Sequence, residues 1–334
     1  MSAVPGPRPQ SRLQASNVDD LALLRPGAAT GSFVSPASAR VLLWLADTYR
    51  RGLTALLNAL GPRAAYAFVA MLARRVYQLH DPLRARSEAQ CHAALGARYP
   101  ATEICRIAQR AFIHRAWNLT DLMLARRRIR PATLPRYGGV IPEPYLGLLL
   151  AAQRQRHPVM LLTAYYGPFD LLPLFLGCNG LRASVVYRPH ANPDFDAYRR
   201  SIRAASGCEL IPVSQALVRL PEILGAGGTV AILADHAAVH GVPVTFLGLP
   251  TAVPRTVGLL AARYGAVVTV AGIRRQATPF RFELAVVDFF EPSAWSHVAD
   301  PVTYITQRYV AALEQLVLGD PTQYLWAHTR GRPK

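Results

Sequence analysis

Short apolar runs alternate with helical segments through the carboxyl-terminal part of the chain, and this alternation restricts the fold more than any other feature of the sequence. The runs are rich in β-branched residues and read VMLLT, ASVVY, CELIP, TVAILA, AVVTVAGI and RFELAVVDFF. Helical segments such as Pro193 to Ser206 and Ser214 to Gly225 separate several of them. Continuous apolar strands between helices are typical of a parallel sheet covered on both faces. The pattern predicts an α/β fold with a mixed, mostly parallel sheet flanked by helices.

The amino-terminal part has a purely helical periodicity, and a connector rich in Pro and Arg separates it from the strands. The helical pattern breaks at three pairs that contain proline, Gly61-Pro62, Asp81-Pro82 and Tyr99-Pro100. The first residues are rich in Pro, Ser and Gly and lack the apolar core of a signal peptide. We therefore predict a disordered tail over residues 1–38, an all-helical part over 39–130 and an α/β domain over 131–334.

The first helical segment carries apolar residues at intervals of three and four from Leu42 to Leu60, with arginines beside them. This amphipathic pattern fits either a core helix or a helix that lies in a membrane interface, and the sequence leaves both open. No apolar run reaches the roughly 18–20 residues that a membrane span needs. The sequence therefore predicts a soluble or peripheral protein.

Charge and cysteine usage limit the classes of partner. The formal net charge is +17, which attracts phosphates of nucleic acid or of anionic lipids. The charge is the only support for nucleic-acid binding, because the sequence contains no recognition module, and we rank that function last. The four cysteines form no CxxC pattern, which favours neither a zinc site nor a disulfide framework and fits a reducing compartment.

Polar residues follow three of the predicted strands, where open α/β sheets place their chemistry. They are Tyr165, Gly167 and Asp170 after VMLLT, Arg188 and His190 after ASVVY, and Asp235 and His236 after TVAILA. If these strands are parallel neighbours, their loops meet at one edge of the sheet. Any one of these residues alone is more typical of a solvated loop or a helix cap, but their recurrence at strand ends favours a site.

Six blocks of the sequence occur in a recognisable order: LLTAYYGPFD, VYRPHANP, ELIP, GGTVAILADH, GVPVTFLGLPTAVPRTVGLLAARYGAVVTV and QYLWAHTR. Together they resemble the bacterial lipid A biosynthesis acyltransferases, the lauroyl/myristoyl transferase group of the glycerolipid acyltransferases, over nearly the whole chain after the tail. The resemblance implies an enzyme at the cytoplasmic face of the inner membrane. It would transfer a fatty acyl group from a thioester, on acyl carrier protein or coenzyme A, to a hydroxyl of a glycolipid. No cofactor and no metal are implied.

The chain departs from this family at the catalytic base. In the family a histidine activates the acceptor hydroxyl, and the acid of an HxxxxD/E motif orients it. Here Tyr165 occupies the position of the base and Asp170 that of the acid, and none of the nine histidines begins such a motif. A phenol has a pKa near 10, so poising it at neutrality requires about three pKa units, or roughly 4 kcal/mol. We therefore predict that Tyr165 is a hydrogen-bond donor rather than the base.

Two histidines are candidates for a relocated base, His236, where the family usually has glutamine, and His190, two residues beyond Arg188. Asp170 is expected to orient or balance charge, and Arg188, Asp235 and Gly167 to bind substrate.

Two functions remain open. The first is an acyltransferase with a rearranged site, which the retained acids and arginine favour. The second is a catalytically silent relative that binds acyl chains or lipid as a partner or scaffold protein.

Overall fold

The computed structural model describes residues 36–326, and side chains from residue 48 onward. The described chain divides into two units between Leu45 and Ala46. Nearly all of the predicted tail, residues 1–35, lies outside the described residues. The predicted boundary near residue 130 stays a prediction.

The amino-terminal part is helical, as the periodicity predicts. It consists of α1 (Pro36–Leu79), α2 (Asp81–Leu95) and α3 (Ala101–Arg128). The break predicted at Gly61 is a kink inside α1, where the glycine has a φ of 73° and a ψ of 169°. The other two breaks separate the helices. Each of them contains a proline, which a helix accepts in its first turn but not in its interior.

One face of α1 is apolar and exposed, whereas another is buried against the rest of the protein. The exposed side chains at helical spacing, which we call the apolar stripe, are Phe68, Met71, Leu72, Val76 and Leu79. The buried ones are Leu57, Ala65, Tyr66, Ala70, Ala73 and Tyr77. The segment Thr48–Leu79 has the length and apolar composition of a membrane span, with a mean hydropathy of 1.3 over its most apolar window. The sequence prediction missed this segment because arginines and the kink interrupt its apolar runs.

The remaining elements are a mixture of helices and strands. The helices are α4 (Leu134–Tyr137), α5 (Tyr145–Arg154), α6 (Leu172–Cys178), α7 (Pro193–Arg203), α8 (Ala216–Gly225), α9 (Thr256–Tyr264) and α10 (Pro301–Gly319). The strands are β1 (Val159–Thr163), β2 (Ser184–Tyr187), β3 (Glu209–Pro212), β4 (Thr229–Leu233), β5 (Val242–Phe246), β6 (Leu249–Val253), β7 (Val267–Arg275) and β8 (Phe282–Phe290).

Within the described residues, six strands form one sheet in the order β3-β2-β4-β1-β7-β8. The first five are parallel, and β8 runs antiparallel to β7 at the edge. Side chains of β1 alternate between two cores: Met160 and Leu162 belong to one, Val159 and Leu161 to the other. Burial on both faces explains why the strand is apolar at every position. The predicted fold class, a mixed and mostly parallel sheet flanked by helices with a helical amino-terminal part, is confirmed.

The hairpin of β5 and β6 is not predicted from the sequence. The two strands are antiparallel and meet at Leu247 and Gly248, both of which have a positive φ. Such a two-residue turn matches the twist of paired strands. Pro243 and Pro250 lie within the strands, and proline inside an apolar run argues against a strand when only the sequence is known.

A buried ion pair links the helical part to the sheet. Arg275, at the end of β7, donates from Nε to Asp121 Oδ2 of α3 over 3.1 Å, and its Nη2 donates to the same oxygen. The guanidinium also contacts His114 Nδ1 at 2.6 Å and Asn118 Oδ1 at 2.7 Å. Tyr66 of α1 donates its hydroxyl to the other oxygen of Asp121. Since Asp121 and Arg275 are almost completely buried, these bonds are needed to offset the desolvation of both charges.

Candidate active site

The parallel pairing brings the predicted site loops to one edge of the sheet. β4 lies between β1 and β2, with Thr163 beside Leu233 and Val185 beside Ala231. The loops that follow these strands carry Tyr165, Asp170, Arg188, Asp235 and His236 (in chain order). The charges of Arg188, Asp235 and Asp170 all act on the Tyr165 phenol, so the grouping predicted from the sequence is present.

Tyr165 and His236 form the central contact of this site. The phenol oxygen lies 3.3 Å from His236 Nε2, and the two rings meet edge to face with centroids 5.4 Å apart. His236 Nδ1 lies 3.0 Å from the carbonyl oxygen of Leu233. A carbonyl only accepts, so Nδ1 carries the proton of the neutral ring and Nε2 has the lone pair. Tyr165 therefore donates its hydroxyl to Nε2, and the lone pair of His236 faces the residue at the family's base position.

The environment of Tyr165 keeps its phenol protonated. Burial raises the pKa of Tyr165 above 10, the carboxylates of Asp235 and Asp170 raise it further, and the positive charges of Arg188 and Arg199 oppose the shift. Phe169 packs edge to face on the same ring, with centroids 5.0 Å apart. A neutral phenol at pH 7 donates a hydrogen bond but does not remove a proton from an alcohol.

Asp170 is held by two arginines of α7. Arg199 Nη2 donates to both carboxylate oxygens, at 2.8 and 3.1 Å, and Arg203 Nη2 donates to Oδ1. Burial raises the pKa of Asp170, but the charges and hydrogen bonds of Arg203 and Arg199 outweigh it, so the pKa lies below its ordinary value. The carboxylate is thus ionised and its charge is balanced. The carboxylate faces α7 and its two arginines. This orientation suits a group that balances charge more than a group that orients a base at residue 165.

Asp235 connects the backbone of the first loop to the carboxyl-terminal end of the described chain. Its Oδ2 accepts from the amide of Tyr165 and from the hydroxyl of Tyr324, each over 3.1 Å. The carboxylate lies in the sheet edge and is only 3% exposed. Its predicted role in substrate binding stays a prediction, whereas its contacts give it a structural role beside His236.

The backbone conformation at residue 167 requires glycine. Its φ is +54°, and an added Cβ would lie 1.9 Å from the carbonyl oxygen of Ile273. Its amide donates to the carbonyl of Gln323 over 2.9 Å. These constraints account for the residue without a ligand, and its predicted contact with substrate stays a prediction.

The loop after β2 contributes exposed groups. Arg188 is exposed, and it is close enough to lower the pKa of Tyr165. His190 is also exposed; its Nδ1 accepts from the amide of Asn192 at 3.0 Å, and its ring packs on Phe195 with centroids 4.8 Å apart. His236 therefore contacts Tyr165 directly, whereas His190 contacts residues at the start of α7.

Three residues of the site, Arg199, Arg203 and Tyr324, are not predicted from the sequence. The two arginines lie four residues apart on α7 and thus share one helix face, a signal that becomes informative only if α7 is known to pack beside the loop after β1. Tyr324 belongs to the block QYLWAHTR, which carries the family resemblance but no predicted site residue. Residues 327–334, which include the end of that block, lie outside the described residues.

The family model for bacterial lipid A biosynthesis acyltransferases matches residues 50–332. The chain therefore belongs to this family, as its sequence blocks predict. Membership supports acyltransferase activity in lipid A-like biosynthesis, and membrane association agrees with the apolar composition of α1. No curated protein matches the chain.

Proposed function

We propose that the protein transfers a fatty acyl group from an acyl thioester to a hydroxyl of a glycolipid or lipid A-like acceptor. The donor is acyl carrier protein or coenzyme A in its acylated form, and no bound cofactor is required. The observation that supports this proposal is the lone pair of His236 Nε2, which faces the base position of the family at the carboxyl edge of the sheet. His236 thereby becomes the preferred relocated base over His190.

The reaction begins when an acceptor hydroxyl replaces the Tyr165 phenol as donor to His236. The acceptor oxygen attacks the thioester carbonyl as its proton moves to Nε2, and the carbonyl oxygen becomes an oxyanion. Arg188 is exposed and close enough for its charge to act on the Tyr165 phenol, and a guanidinium stabilises such a negative charge. The carbon–sulfur bond then breaks, and the leaving thiolate takes the proton from the imidazolium. The products are an ester and a free thiol.

Mutation of the two histidines tests this assignment. We expect His236→Ala to lower turnover by about 10²-fold or more, the usual loss when a general base is removed. His190→Ala is the matched control and should have a small effect, as should Tyr165→Phe, which leaves the Nε2 lone pair in place. The assay incubates the protein with labelled acyl thioesters and total membrane lipid, followed by mass analysis of the lipids. Activity that persists in His236→Ala and disappears in Tyr165→Phe would contradict the assignment.

A second function is supported by the state of Asp170. The arginine bonds of its carboxylate and the neutral phenol at residue 165 fit a catalytically silent relative that binds acyl chains or lipid as a partner or scaffold. Tyr165→His separates the two functions. If the wild-type protein is inactive and Tyr165→His gains a large activity, the protein is a silent relative. If the wild-type protein is active, depends on His236 and gains nothing from Tyr165→His, the base is relocated.

We also propose that α1 holds the protein on the cytoplasmic face of the inner membrane as a peripheral protein. The apolar stripe is available to lipid, whereas Tyr66 on the opposite face is hydrogen-bonded to the buried Asp121. Exposed arginines such as Arg74 and Arg75 lie beside the stripe and would attract anionic headgroups.

Co-sedimentation with vesicles tests this attachment. Binding to anionic vesicles should weaken as salt rises, and Met71→Glu should weaken it at every salt concentration. Leu259→Glu, on α9, changes a leucine of similar exposure and is the control. Equal binding to neutral and anionic vesicles would refute the electrostatic contribution, and unchanged binding of Met71→Glu would refute the role of the stripe.

A further inference from the structure

The segment after α10 packs on the loop that carries Tyr165. We call residues 320–326 the closing segment. The amide of Leu325 donates to the carbonyl of Tyr165 over 3.0 Å, and the carbonyl of Gln323 accepts from the amide of Gly167 over 2.9 Å. Tyr166 and Tyr324 form an isolated antiparallel bridge between these contacts. The closing segment therefore pairs with the loop after β1 as a short strand would.

A side-chain bond extends this pairing to the loop after β4. The Tyr324 hydroxyl donates to Asp235 Oδ2, and the same oxygen accepts from the amide of Tyr165. Asp235 precedes His236 in the chain, so the position of its carboxylate fixes the backbone from which the imidazole projects. Three segments that are distant in sequence are joined at this one oxygen.

We propose that Tyr324 is a positioning residue for His236. Its hydroxyl holds Asp235 against the backbone of Tyr165, and this contact sets the distance and direction of the imidazole toward the base position. The inference rests on the proposed function, in which His236 is the base. It assigns Tyr324 no contact with the substrate.

The packing of Tyr324 separates the role of its hydroxyl from that of its ring. The ring is 3% exposed and lies edge to face with Trp326, at a centroid distance of 4.9 Å, and near Phe246, at 6.4 Å. Phenylalanine would keep these contacts. It would remove one donor from a buried carboxylate, which depends on its hydrogen bonds. Tyr324→Phe should therefore leave the fold intact and loosen the loops after β1 and β4.

Tyr77→Phe provides a matched control. Tyr77 is equally buried, at 3% exposure, and its hydroxyl donates to the carboxylate of Glu88 over 3.0 Å. This bond joins α1 to α2 and is not part of the site. We expect Tyr324→Phe to lower kcat about tenfold, the loss that corresponds to one hydrogen bond to a charged group. The KM for the acyl donor should change little, and Tyr77→Phe should leave both constants unchanged.

Nuclear magnetic resonance of the histidine side chains gives a readout that does not require activity. In protein labelled with ¹⁵N-histidine, His236→Gln identifies the His236 signals. Tyr324→Phe should shift the Nε2 resonance of His236, because the Tyr165 hydroxyl no longer meets it in the same geometry, and Tyr77→Phe should not. If Tyr324→Phe fails to fold, Asp235→Asn removes the charge from the same bond and should produce the same shift.

Each outcome decides the proposal. A shifted His236 signal together with a lower kcat supports it. A His236 signal that Tyr324→Phe leaves unchanged overturns the proposal. If the wild-type protein is active, the proposal is also overturned when Tyr324→Phe shifts the signal but does not change kcat. If the wild-type protein transfers no acyl group to any lipid, the proposed function fails, and the His236 signal alone then decides whether Tyr324 positions the imidazole.

Discussion

His114 makes the stability of the protein depend on pH. Its Nδ1 lies 2.6 Å from Arg275 Nη1, and since a guanidinium only donates, the imidazole must accept in its neutral form. Burial, and after it the positive charge of Arg275, lower the pKa of His114 from 6.5 to about 3. Protonation would break this bond and place a second cation beside the guanidinium.

The magnitude follows from proton binding in the two states. The imidazole of the unfolded chain takes up a proton near pH 6.5, whereas that of the folded protein stays neutral to about pH 3. Between these values the unfolded state binds more protons, so the free energy of unfolding decreases as the pH falls. From pH 7 to pH 5 the loss should be about 2 kcal/mol, because pH 5 lies about 1.5 units below the unfolded pKa and each unit corresponds to 1.36 kcal/mol.

Urea unfolding at pH 7 and at pH 5 measures this loss. Other groups also titrate, so the informative quantity is the difference between the wild-type protein and His114→Gln. Glutamine offers an oxygen to Arg275 but does not titrate, and this variant should lose about 2 kcal/mol less than the wild-type protein over the same pH range. His157→Gln changes an exposed histidine and should behave as wild type. An equal loss in the wild-type protein and in His114→Gln would show that His114 is not a buried neutral acceptor.

Two further changes test the loop after β1. Asp170→Asn should reduce the free energy of unfolding at pH 7 by about 3–5 kcal/mol, because it leaves two arginines of α7 without their buried anion. The wild-type protein should also lose stability as the pH falls below about 4, because the carboxyl group protonates through its lowered pKa. A urea midpoint that Asp170→Asn leaves unchanged would contradict the buried ion pair. Gly167→Ala should cost at least about 3 kcal/mol, since alanine resists the positive φ and its Cβ would collide with the Ile273 carbonyl. Thermal unfolding checks this change, and a melting temperature within a degree of wild type would refute the geometry of this turn.

The fold was predictable because the sheet is covered on both faces. Every position of β1 is buried, so the strand appears in the sequence as an unbroken apolar run. The position of the site at the carboxyl edge was also predictable. Parallel strands end at the same side of a sheet, so the residues that follow β1, β2 and β4 meet there. The hairpin of β5 and β6 was not predictable, because Pro243 and Pro250 lie within its two strands and proline argues against a strand when only the sequence is known.

The contacts between site residues were beyond the sequence. That His236 faces Tyr165 depends on the register of β4 against β1, and a shift of one residue would turn the side chain to the other face. Likewise, the hydrogen bonds from Arg199 and Arg203 to Asp170 depend on how α7 packs. The hydrogen bond from Tyr324 to Asp235 depends on where the chain returns after α10. Such contacts arise from tertiary packing, which local patterns do not encode.

The ion pair between α3 and β7 also sets an order of events during synthesis. Asp121 and Arg275 are separated by 154 residues, so a ribosome that adds 5–20 residues per second needs roughly 8 to 30 seconds to supply the guanidinium after the carboxylate has emerged. During that interval the helical part is complete in sequence, but Asp121 lacks the cation that balances its charge in the folded protein. The apolar stripe of α1 is synthesised before either of them. The proposed attachment through α1 would therefore be possible for a nascent chain while the sheet that completes the core is still being made.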